Sequence, residues 1–200
     1  PVETIYPSGR FSREIPVGIG IHDSSSSLVP YFMSSDDPFI LVSTGTWCIS
    51  MNPFNHSPLT PEQLKQDCLA YMSVQQNPVK SPRLFLGHIH DVNVKRLTRL
   101  FGLEDEAYKN VGLNDGLLQD LGAHNKAERV FFRDGIPEDY IDDSVDPESF
   151  RNFEEAYHRL MIDLVDLSVS SINLITGEDD RTRNMYITGG FSKNPIFLKG

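Results

Sequence analysis

The segment Phe39–Met51, FILVSTGTWCISM, sets two β-rich apolar runs on either side of Gly45-Thr46. So short a glycine-containing link between such runs reads as a hairpin, with strands over Phe39–Ser43 and Trp47–Met51. Toward the N-terminus, Ile15–Ile21 (IPVGIGI) reads as a short buried strand. His22-Asp23-Ser24 follows it as a helix start ahead of Leu28, Val29, Tyr31 and Phe32. Toward the C-terminus, Asn52–Pro61 is a polar loop with three prolines, Cys68–Val74 a strand and Gln75–Pro82 a linker. Leu84 through Phe101 reads as a strand running into a helix or as one helix. Ala107–Leu121 reads as a helix and Arg129–Phe132 as a short strand. Pro147–Thr176 carries the strongest helical pattern: Phe153, Tyr157, Leu160, Leu164 and Leu167 recur at helical spacing, acids sit near its start and Gly177 follows its end. Met185–Thr188 is a strand, Gly189-Gly190 a turn, and Phe191–Leu198 opens a helix. Strands followed by alternating helices and strands argue an α/β domain.

Composition narrows the function. The 200 residues contain 14 Gly and 13 Pro, far from the roughly 25–30% that marks low-complexity chains, so a packed core is expected. A net charge of −10 with no Lys/Arg run disfavours nucleic acid and anionic lipid as partners. No apolar stretch approaches the length of a membrane span. Cys48 and Cys68 have neither disulfide-framework density nor metal spacing, which suits a reducing compartment, and we expect a cytoplasmic protein. The opening PVETIYPSGRF starts at Pro1 without an apolar signal region, and the closing NPIFLKG resembles the start of a helix. We read the chain as a piece of a longer protein.

Four constellations carry chemistry. In Gly20-Ile21-His22-Asp23-Ser24-Ser25, a strand delivers a carboxylate to a helix start, where a general base can take a proton from a hydroxyl. The same residue type also serves purely as a helix cap. In Ser43-Thr44-Gly45-Thr46, small residues at a hairpin tip expose backbone N–H groups that can cradle an anion, with the Thr44 and Thr46 hydroxyls as further donors. Gly and Thr also occur at such tips for geometry alone. In Thr188–Pro195, Gly189 and Gly190 let a ligand approach the backbone at a helix start, or simply make a tight turn. His88 and His90, read on a strand, face one side at a metal-ligand spacing, but the remaining histidines are scattered and surface or packing roles are favoured.

In their order along the chain, GIGIHDSSSS (18–27), STGTWCISMN (43–52) and MYITGGFSKNP (185–195) resemble the second half of an FGGY-family carbohydrate kinase. The His-Asp and Ser-x-Gly-Thr-Trp wording is most similar to the rhamnulokinase and L-fuculokinase branch. The resemblance implies an RNase H-like, actin/hexokinase-type fold: a mixed sheet flanked by helices, here the C-terminal domain and incomplete at both ends. The N-terminal domain, with the Asp-x-Gly-Thr motif and most sugar contacts, is absent from these residues. One departure is the Ser-rich stretch after Asp23, where the family is Ala-rich. Carried over motif by motif, Asp23 is the base that activates a sugar hydroxyl. Gly45 and Thr46 contact the β- and γ-phosphates, and Gly189, Gly190 and Asn194 frame the α-phosphate and adenosine. ATP with Mg²⁺ is the implied cofactor pair, the metal being held by phosphates, water and the missing half. The implied partners are a ketose such as rhamnulose, fuculose or xylulose and the N-terminal domain of the same parent chain, and a homodimer is allowed. The competing reading is a non-catalytic actin-like module that binds nucleotide or a partner.

Overall fold

A computed structural model of the chain describes residues 4–7, 14–17, 21–124, 129–177 and 180–200. The central feature is a five-stranded mixed sheet. Its strands are β3 (Phe39–Thr44), β4 (Cys48–Met51), β5 (Cys68–Met72), β6 (Pro78–Leu84) and β7 (Asn184–Gly189), in the order β5-β6-β4-β3-β7. The expected hairpin is present as the antiparallel β3–β4 pair, while β3 and β7 run parallel. Strand β1 (Thr4–Pro7) pairs antiparallel with β2 (Glu14–Val17) in a separate two-stranded sheet. The expected strand Ile15–Ile21 is thus β2 in part. Its residues 18–20 lie outside the described residues, and β2 takes its backbone partners from β1 rather than from the main sheet.

Alternation along β3 divides the core. Ile40 and Val42 face α4 (Leu86–Leu100) and α6 (Phe153–Asn173), joining Leu86, Ile89, Leu97, Leu160 and Leu164 in the larger cluster. Phe39 and Leu41 face the other way and pack with Met51, Val79 and Leu28. Leu28 lies between the short helices α1 (Asp23–Ser26) and α2 (Val29–Ser34), which cover this smaller face. Helix α6 begins where Asn152 caps it, its side chain accepting the Glu155 N–H at 2.9 Å. Among the described residues no helix is long and apolar enough to cross a membrane.

Three expectations need correction. Gln75–Pro82 is no linker, because most of it belongs to β6. The prolines are tolerated because Pro78 and Pro82 share the alternation of Lys80, whose carbonyl turns to Asn52 on the β4 side, and there β6 pairs only at Arg83 and Leu84. Its ladder to β5 runs the length of Pro78–Pro82 through the other alternation. Arg129–Phe132 is not a strand. The Val130 and Phe131 N–H groups donate to the Asp163 carboxylate at 3.0 and 2.8 Å, and Phe132 N–H donates to Asp142, which takes these donors out of any ladder. Arg159, one turn before Asp163 on α6, donates from Nε to the same carboxylate at 3.0 Å. The expected helix Ala107–Leu121 is split into a 3₁₀ turn, Ala107–Asn110, and α5 (Asp115–His124), because Asn114 accepts the N–H of Leu117 and of Leu118 and restarts the helix.

Candidate functional site

The parallel register sets Thr44 opposite Gly189, which brings the hairpin tip and the diglycine turn to the same end of the sheet. Thr44 is buried and clasps the turn three ways. Its carbonyl accepts the Gly190 N–H at 2.8 Å, and its hydroxyl donates to the Thr188 carbonyl and accepts the Phe191 N–H at 3.1 Å. The contact is so close that a Cβ on Gly189 would overlap the Thr44 carbonyl, and Gly189 sits at φ +92. The Thr44 hydroxyl, expected as a donor to ligand, is therefore engaged within the fold.

The hairpin tip is seated on α4. Gly87 N–H donates to the Thr46 carbonyl at 3.1 Å, and a Cβ on Gly87 would stand 2.5 Å from the Gly45 carbonyl oxygen. Trp47 stacks on Phe85 at 4.4 Å, and the Arg83 guanidinium, paired with Asp67 at 2.7 Å, lies over the indole. The Gly45 N–H donates to the Trp47 carbonyl at 3.0 Å, so the tip is not the run of free amides that its sequence suggests.

Between these turns lies a cavity of about 300 Å³. Gly45, Thr46, Gly87 and Gly190 form a wall nearly bare of side chains. Tyr108, Tyr157 and Phe191 supply aromatic rings, and His90, Asp91 and Asn194 the polar groups. Burial pushes the Tyr157 phenol up to about 12, so its hydroxyl keeps its proton, and burial lowers the His90 imidazole below the ordinary 6.5, so the ring is neutral at pH 7. Gly190 has nothing within 4 Å of where a Cβ would stand, which leaves its surface open to a ligand. A larger cavity of about 660 Å³ is lined by Pro38, just before β3, and by Asn52, just after β4. These mark the opposite end of the sheet, away from both turns.

Of the residues singled out in sequence, Gly45, Thr46, Gly190 and Asn194 line one cavity, and Gly189 lies behind it, next to Gly190 and packed on Thr44. Asp23 is not among the lining residues. It is the first residue of α1, its side chain is 92% exposed, and its Oδ1 accepts the Ser24 N–H at 2.7 Å. The cap of that helix is His22, whose ring stacks on Tyr71 of β5 at 4.4 Å. Helix α7 (Pro195–Lys199) opens with its Ile196 and Phe197 N–H groups already donated to Asn194 Oδ1, so they are taken before any phosphate arrives. His88 and His90 lie on helix α4, not on a strand. Two residues apart on a helix they diverge: His88 stacks on Phe85, and His90 is buried against Tyr157. Among the described residues no three His, Cys, Asp or Glu side chains cluster as a metal set.

Sequence reasoning gave no site role to Tyr108, Tyr157 and Phe191, and read Gly87, His90 and Asp91 only as part of the run Gly87–Asp91 with metal-ligand spacing. Gly87 carried a signal, a glycine at the strand-to-helix junction. Tyr157 reads as a core position from its spacing on α6, and Tyr108 and Phe191, each in a short 3₁₀ turn, carry no local signal.

Residues 36–107 match the family model described as carbohydrate kinase FGGY, C-terminal domain. No curated protein sequence matches the chain. Among solved structures, a carbohydrate kinase from Novosphingobium aromaticivorans is similar at 18% identity with a TM-score of 0.58, over 89% of this chain and 37% of that one. A xylulose kinase from Bifidobacterium adolescentis is similar at 12% identity with a TM-score of 0.50, over 86% of this chain and 33% of that one. The chain thus spans about a third of the length of these structures. The family match supports the FGGY family, and the structural likeness together with the mixed five-stranded sheet gives an α/β domain of the actin/hexokinase type.

Proposed function

We propose that a chain whose residues 36–107 match the FGGY C-terminal domain is the nucleotide-binding half of an ATP-dependent sugar kinase. The observation that carries this reading is the glycine-walled cavity between the two turns, where four of the five residues expected to hold nucleotide meet. A wall nearly bare of side chains admits phosphates and a flat base close to backbone, and the aromatic rings lining the same cavity suit a nucleoside. In this reading Gly45 and Thr46 take the β- and γ-phosphates, while Gly190, with Gly189 setting its position and Asn194 beside it, frames the α-phosphate and adenosine.

Phosphoryl transfer asks a protein chiefly for positioning and charge stabilisation. Asp23 accepts the proton of the attacking sugar hydroxyl, and its exposure leaves it open to a substrate brought by an N-terminal domain of the same parent chain. Mg²⁺ needs only one or two carboxylates beside substrate phosphates, so we assign it to ATP, water and the partner domain. The substrate is a ketose such as rhamnulose, fuculose or xylulose, within the rhamnulokinase and L-fuculokinase branch. Residues 1–200 alone turn over no sugar, because the site closes from two sides.

The test is ADP release by the full-length protein across a panel of ketoses, with and without Asp23→Ala. Sugar-dependent release that falls by about 10²-fold or more in the variant supports the reading. ATP binding with no sugar-dependent release favours the actin-like module, and near-normal turnover in Asp23→Ala removes Asp23 from the role of base.

A further inference from the structure

The hydrogen bonds behind the cavity run in one direction. Asn194 caps α7, its Oδ1 accepting the N–H of Ile196 at 2.9 Å and of Phe197 at 3.3 Å. Backbone N–H groups only donate, so they fix which end of the amide is oxygen. Nδ2 must therefore be the end that faces the Tyr157 hydroxyl, 3.1 Å away, and it donates there. Tyr157 Oη, accepting from Asn194, still has its proton to offer, and His90 Nε2 lies 3.3 Å away. A neutral imidazole whose Nε2 accepts carries its proton on Nδ1, and Nδ1 lies 3.0 Å from the Asp91 carboxylate. His90 is boxed by the Tyr108, Tyr157 and Phe191 rings at 5.1, 6.0 and 5.4 Å, nearly edge to face, which holds the ring against rotation. Its side chain is 8% exposed, whereas that of Asp91 is 63% exposed at the rim of the cavity.

We propose that Tyr157 and His90 are positioning residues: the chain from the α7 cap sets His90 as its Nδ1–H tautomer and holds the Asp91 carboxylate as a fixed acceptor at the cavity rim. A carboxylate repels phosphate and accepts only from donors. It therefore presents itself to the hydroxyl- or amine-bearing part of a bound ligand, and the glycine wall is left to the anionic part. This last clause rests on the nucleotide reading, while the tautomer does not.

The first test needs neither ligand nor variant. Long-range proton–nitrogen NMR of the ¹⁵N-histidine-labelled full-length protein at neutral pH is expected to show His90 with protonated Nδ1 and bare Nε2. A protonated Nε2 with bare Nδ1 overturns the proposal. The second is Tyr157→Phe, which removes only the hydroxyl. His90 is expected to relax toward a tautomer mixture, and an unchanged tautomer overturns the directed chain. The third is ATP titration of His90→Asn, which keeps a donor near the Nδ1 position, against His90→Ala, which does not. The Ala variant is expected to bind about tenfold more weakly than wild type, as for one charge-assisted hydrogen bond, with the Asn variant in between. Equal affinity of wild type and His90→Ala overturns the link to Asp91. Wild-type protein that binds no ATP overturns the nucleotide reading instead, and the NMR result then judges the tautomer alone.

Discussion

The hairpin tip at Gly45-Thr46 and the turn at Gly189-Gly190 look alike in sequence, yet they use glycine in opposite ways. At Gly45 the nearest atom to where a Cβ would stand is the Trp47 carbonyl oxygen at 3.9 Å, ordinary contact, so the tip has room for a side chain. At Gly189 there is no room, because the Thr44 carbonyl occupies the position and the backbone is left-handed. The glycine that the hairpin requires is on the helix beneath it, Gly87, packed on the Gly45 carbonyl. A turn made within one hairpin can adjust, whereas a turn docked on a strand from the other end of the chain must match a surface it did not build.

The largest expected effect follows from that contrast. Gly189→Ala meets both an overlap and a strained φ, and we expect a loss of about 3 kcal/mol or more in denaturant unfolding. A loss under about 1 kcal/mol would show that the two turns are equivalent after all. Gly87→Ala should cost about 2 kcal/mol and weaken ATP binding, since a Cβ 2.5 Å from the Gly45 carbonyl oxygen is closer than side chains come and the hairpin backbone must shift to admit the methyl. Thr44→Val keeps shape but removes the hydroxyl that serves Thr188 and Phe191, leaving both without their partner. About 1–3 kcal/mol is expected, measured as a shift in urea midpoint.

Acid acts on the side of the diglycine turn, because the His90 chain ends on the α7 cap beyond that turn and not on the hairpin. The folded-state pKa of His90 lies below its unfolded value near 6.5. As the pH falls through 6.5, the unfolded chain takes up a proton before the folded one does. Stability is thus undisturbed above that pH and is lost below it, down to the folded value. Urea midpoints at pH 7.5 and 5.5 should fall further apart in wild type than in His90→Asn, and equal differences would dismiss the effect. The smallest change is expected from Gly45→Ala, within about 0.5 kcal/mol of wild type by thermal unfolding.

Much of this was legible in the residues. The β3–β4 hairpin, α6 and β7 follow from runs whose apolar spacing has one reading. The two readings of Leu84–Phe101 are resolved as the end of β6 running into α4, and one of the three short motifs lies within the match to the FGGY family model at residues 36–107. What misled was local. Pro78 and Pro82 looked like a linker because a proline lacks a ladder donor, and nothing in the sequence says that β4 leaves those positions alone. Val130 and Phe131 looked like a strand because their apolar character does not reveal that a carboxylate from α6 takes their N–H groups.

Periodicity, turn chemistry and capping depend on neighbours a few residues apart, so the α/β class, most element positions and the two glycine turns could be read from the residues alone. The parallel register that sets Thr44 against Gly189 joins residues far apart in the chain, and so do the seating of the hairpin on Gly87 and the linkage of Asn194 through Tyr157 to His90. These contacts could not be read locally, because whether a hydroxyl or an amide is free for a ligand depends on which distant group has already taken its hydrogen bonds.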